Sequence, residues 1–111
     1  MSPVEFYEHP SKSAAGTVYV YHNLGIGKYN LHAGSVDTAV GEAIVAVLGY
    51  KHTLGDDTEE TIILKTGYIK QFGGLTFLGP FELLGPGRVY AACVHMDAGV
   101  HHLQLQLERM Y

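Results

Sequence analysis

With 111 residues, 47% of them apolar and 16% charged, the chain suits a single ordered domain that buries roughly two-thirds of its unfolded surface. A formal charge of −4 and only seven scattered Lys and Arg exclude a nucleic-acid or anionic-membrane surface, since phosphates demand clustered bases. The single cysteine, Cys93, excludes an internal disulfide and a cysteine-cluster metal site. No stretch approaches the ~18 apolar residues of a membrane helix, and no basic region followed by an apolar run opens the chain. The expectation is a cytoplasmic protein.

Residues 1–16 carry Pro3, Pro10, Ser11, Ser13 and Gly16 without sustained periodicity, and read as an N-terminal arm ahead of one domain over 17–111. Thr17 to His22 is β-branched and aromatic, a short strand. Gly25, Gly27 and Gly34 follow in a glycine-rich passage. Gly25-Ile26-Gly27 is a fragment of a phosphate-loop pattern, but without a third glycine and a Lys-Ser/Thr pair it reads as a turn.

The run from Ser35 to Tyr50 is apolar except for Asp37, Glu42 and small polar residues. Ser35 or Asp37 can cap a helix N-terminus and Gly49 can end it, so the spacing predicts a helix over 36–48. Read as a strand instead, Ile44 to Leu48 is a fully buried run, and the domain becomes a small all-β barrel.

Four strands are expected next, over Thr61–Gln71, Leu75–Leu84, Arg88–Met96 and Val100–Arg109. They form an antiparallel meander joined at Gly73-Gly74, Gly85-Pro86-Gly87 and Asp97-Ala98-Gly99, because short glycine loops match strand twist. Leu103, Leu105 and Leu107 alternate with His102, Gln104, Gln106 and Glu108, which predicts one buried and one polar face. Pro80 cannot donate to a ladder and marks a bulge or an edge.

A strand, an apolar helix and a meander describe a sheet curled around one central helix, an α+β fold. His32-Ala33-Gly34 before the capped apolar run resembles the His-Gly-Gly helix start of small hotdog-fold acyl-CoA thioesterases. Thr61 to Gly74 resembles their second long strand, closing on Tyr68, Ile69 and Lys70, and Val89 to Met110 resembles their last strand pair. The chain departs from that pattern at Ala33, at Gly41 where the family's acid falls, and at Asn23 and Asn30.

The resemblance implies hydrolysis of an acyl thioester. Glu42, or Asp37, would activate water, the Ala33 and Gly34 amides would hold the oxyanion, His32 would assist, and Tyr68 would border the substrate. Each residue has a plainer reading too. Glu42 can face solvent on the helix's one polar stripe, Asp37 can cap, Gly34 can simply turn the chain, and His32 can be structural. No cofactor and no nucleic-acid or membrane partner is expected. His95 and His101, with Asp97 nearby, make a conceivable metal site, but no ligand spacing supports it. A homodimer or homotetramer is expected, because a curled sheet leaves an unpaired edge. A hotdog dehydratase or hydratase is the nearest alternative. From another class stands a non-catalytic small-molecule-binding β-barrel, its pocket lined by Tyr19, Tyr21, Tyr29, Tyr50 and Tyr68.

Overall fold

The computed structural model describes residues 4–13, 16–38, 44–69, 74–96 and 99–111. They form six strands: β1 (Val4–Ser13), β2 (Gly16–Thr38), β3 (Ile44–Thr53), β4 (Glu59–Ile69), β5 (Gly74–Met96) and β6 (Gly99–Arg109). All pairings are antiparallel, in the order β1-β6-β2-β5-β3-β4.

The two 23-residue strands, β2 and β5, organise the domain. Their first and second halves pair crosswise, and the register slips between Leu24 and Gly27, opposite Gly87 and Gly85. There the ladder folds over and becomes two layers. The first comprises β1, β6, the second half of β2 and the first half of β5. The second comprises the first half of β2, the second half of β5, β3 and β4.

The fold line requires glycine. Gly27 has φ of 148°, and a side chain on it would strike the carbonyl oxygen of Tyr111; side chains are strongly disfavoured there. A side chain on Gly85 would strike the carbonyl of Gly25 on the facing strand.

Between the layers lies one apolar core. Leu31, Val36, Leu103, Leu105 and Leu107 of the first layer meet Val20, Ala46, Leu48, Tyr50, Val89 and Ala91 of the second. The Tyr50 hydroxyl crosses between layers and donates to the carbonyl of Leu84 at 2.6 Å. Burial pushes the Tyr50 hydroxyl up to about 12. His52 Nδ1 also bonds this carbonyl, at 2.9 Å, so Tyr50→Phe strands no acceptor. That variant should lose about 1 kcal/mol in urea unfolding, the net worth of one hydrogen bond.

The α+β hotdog reading is corrected: no helix occurs among the described residues, and Ile44–Thr53 is a strand. Ala46, Leu48 and Tyr50 are buried while Val45 and Val47 are half-buried. That is the two-residue period of a strand flanked on both sides, whose second face is largely covered too. On that second face the Tyr90 ring lies over Gly49, at the place a side chain would take. Residues 39–43 lie outside the described residues, and Glu42 with them.

The meander is corrected as well. Gly85-Pro86-Gly87 lies within β5 and joins nothing. β4 is separated from β5 by β3, and β5 from β6 by β2, so the other two glycine joints close no hairpin. The closed hairpin joins β3 to β4 through Leu54–Thr58. Asp57 there takes φ of 66°, and Asp56 Oδ1 accepts from the Thr58 amide and hydroxyl at 3.2 and 2.6 Å, as Asx turns do.

The stretch read as an arm contributes β1, an edge strand paired to β6. Pro80 sits where β5 carries one more residue than β2. Among the described residues β2 is the only strand paired to β5 at that point, so Pro80 is at once a bulge and an edge position.

Candidate functional site

The outer face of the first layer carries two rows of side chains in register. Phe6, Gln106, Ala33 and Leu78 lie side by side across β1, β6, β2 and β5; Glu8, Gln104, Ser35 and Thr76 form the next row. Paired residues on adjacent strands share a face. These rows therefore make one surface, opposite the core leucines of β6.

Its relief follows from residue size. Phe6 and Leu78 are 75% and 73% exposed and stand at the two ends of their row, while Ala33 is 6% exposed and forms the floor. A groove of about 350 Å³ lies along β1, β6 and β2, lined by Phe6, Tyr7, Glu8, Ala33, Ser35, Gln104, Leu105 and Gln106. Ser35 and Thr76 fix one another through their hydroxyls at 2.9 Å. No lysine or arginine is among the lining residues.

Beyond the groove stands His32, the extra residue where β2 bulges against β6. Bulges redirect side chains, and here the ring turns to Glu108, Nε2 to Oε1 at 2.9 Å. With Glu108 only 15% exposed, the imidazole is the partner that makes burial of that carboxylate tolerable.

The reverse face of β1 looks inward. Glu5, Tyr7, His22, Tyr29 and Arg109 line a cleft of about 360 Å³ between the layers. His9 Nε2 and His22 Nδ1 are 2.7 Å apart. The Tyr7 ring lies 4.3 Å from that of His22, and its hydroxyl donates to Glu5. Burial, then the charge of His9, holds His22 below its ordinary 6.5. The unfolded chain therefore takes up this proton more readily than the folded one. The stability involved is present above 6.5 and is lost as pH falls below it.

On the outer face of the second layer the Arg88 guanidinium stacks 4.2 Å over Tyr21. It bonds both Glu59 oxygens, at 2.6 and 2.9 Å. This charge is already neutralised in place.

Of the expected catalytic set, Glu42 lies outside the described residues, and the described members lie on β2 and β4. Ala33 and Gly34 lie within β2, paired on one side to Leu78 and Phe77 and on the other to Gln106 and Leu105; they stand at no helix start. Asp37 continues the same strand, opposite Gly74 and His102. Tyr68 is exposed on β4, the far edge of the other layer. His95 and His101 lie on β5 and β6, which are not neighbours, and no cluster suited to a metal ion occurs among the described residues. Nor do the tyrosines share one pocket: Tyr29 lines the inner cleft, Tyr50 lines an opening toward β4, and Tyr21 stacks under Arg88.

Of the expected residues that the structure describes, only Ala33 lines the groove. Phe6 and Glu8 were missed with the arm that holds them. Gln104 and Gln106 were legible as a polar face, but their partners across the sheet were not.

No protein-family model matches this chain, and no curated protein does. Among solved structures it is similar to PirA, with a TM-score of 0.58, 6% identity, and coverage of 90% of this chain and 93% of that one. It is also similar to the C-terminal family 22 carbohydrate binding module of Clostridium thermocellum Xyn10B, with a TM-score of 0.59 and 10% identity over 98% and 82% of the two chains. A third is the CBM22-1 xylan-binding domain of Paenibacillus barcinonensis Xyn10C, with a TM-score of 0.54 and 10% identity over 92% and 70%. These likenesses concern the fold alone: an all-β sandwich, in place of the expected α+β sheet around a helix. No helix among the described residues is long and apolar enough to cross a membrane.

Proposed function

We propose that the chain is a non-catalytic binding module whose outer-face groove takes a neutral saccharide. The observation that carries this reading is the row Phe6–Gln106–Ala33–Leu78, flanked by Gln104 and Ser35. Sugar hydroxyls both donate and accept, and glutamine amides and serine hydroxyls answer in both senses. A pyranose also has an apolar C–H face, for which the exposed Phe6 ring is a platform. A groove lined without lysine or arginine has nothing to hold a phosphate or coenzyme A. Fold alone assigns no function, but one similar structure is described by the role of its cleft residues in ligand binding and another as xylan-binding, which supports the same ligand class here.

Calorimetric titration tests this reading. Xylohexaose, or another oligosaccharide from a neutral panel, should bind saturably, and uronate oligomers and acyl-CoA should not. Binding of acyl-CoA without any neutral sugar would end the proposal.

A further inference from the structure

β1 carries the groove on one face and the histidine pair on the other. Phe6 and Glu8 form the groove's outer wall, while Tyr7 and His9 of the same strand reach inward to His22. Among the described residues the strand is an edge, paired in the sheet to β6 alone. What fixes its inner face therefore fixes the wall of the groove.

We propose that the His9–His22 pair is a proton-sensitive latch on β1, and that acid releases the strand and with it the ligand held in the groove. This deepens the binding-module reading and rests on it for the ligand.

The geometry dictates the direction. At 2.7 Å one ring nitrogen must offer a proton and the other a lone pair. Neutral rings do this, and so does a pair carrying one added proton at an outer nitrogen. Two imidazolium rings cannot: both facing nitrogens become donors, and two like charges meet in a half-buried site. The groups around His22 do not rescue the doubly charged state. From β1 it faces His9, Tyr7 and Glu5, whose carboxylate already accepts from Tyr7. From β6 come Leu107 and Arg109, a further positive charge bound to the Ile26 carbonyl. Asn23 and Tyr29 of its own strand complete the cleft, and its partner on β5 is the apolar Val89.

Hydrogen exchange, corrected for intrinsic rates, reads the latch directly. The Val4–Ser13 amides should lose at least about tenfold in protection between about pH 7.5 and about pH 5, while β3 keeps its own. Xylohexaose affinity should weaken in parallel by at least about tenfold. His9→Gln and His22→Gln keep a hydrogen-bonding side chain but cannot take the charge; each should flatten both pH profiles, and either alone suffices if the other folds poorly. Unchanged β1 protection at acid pH, or an undiminished pH response in both variants, would overturn the latch. Loss of β1 protection with no sugar bound at any pH would uphold the latch and sink the saccharide reading instead.

Discussion

Leu48→Ala should cost about 3–5 kcal/mol in urea unfolding, near the top of the range for large-to-small core changes. Leu48 is fully buried, and its methyl carbons lie 2.8 and 3.0 Å from where a side chain on Gly34 would begin. A leucine of the second layer thus fills the space left by a glycine of the first. Truncation opens a cavity that Gly34 cannot fill. Gly34→Ala alone should also destabilise, by about 1–3 kcal/mol, because its methyl meets those same carbons in a filled core. In the Leu48→Ala background the new methyl enters the vacated space, so the double variant should be more stable than the sum of the two costs by more than about 1 kcal/mol. Strict additivity would mean that the layers do not meet there.

The second large effect concerns binding. Phe6→Ala removes the stacking platform, and Gln106→Ala removes a group that both donates and accepts in the centre of the groove. Each should weaken xylohexaose by roughly 5- to 30-fold, corresponding to about 1–2 kcal/mol, and the pair together by about a hundredfold or more. Because Phe6 and Gln106 are exposed, their removal should shift stability by less than about 0.5 kcal/mol. Tyr68→Ala, equally exposed but on β4 of the other layer, should change neither quantity. Equal losses from Phe6→Ala and Tyr68→Ala would show that the sugar recognises general exposed aromatics and not the groove.

The parts of this fold legible in the sequence are those set by local chemistry. The leucines of β6 alternate as read: Leu103, Leu105 and Leu107 are buried, and Gln104 and Gln106 exposed. Pro80 marks its bulge because it cannot donate to any ladder. What failed depended on distant partners. Ile44 to Leu48 is apolar on successive residues because a strand between two others, with its second face largely covered, needs no polar side, and such a run imitates a buried helix. The glycine joints misled for a related reason. Glycine permits a fold line through a long strand as readily as a hairpin, and only the facing strand distinguishes them. The Gly55-Asp56-Asp57 turn carried a usable signal, overlooked beside more conspicuous glycines. The groove was illegible because its two rows gather residues from β1, β6, β2 and β5, brought together by register alone.

Amide chemical-shift mapping during titration with xylohexaose reads directly whether sugar binds the outer face of the first layer, as proposed. The predicted result is saturable movement at Phe6, Ser35, Gln104 and Gln106, with Ile63 and Tyr68 on β4 unmoved. Saturable shifts confined to β4 or to the cleft around His22, with the groove residues still, would contradict it.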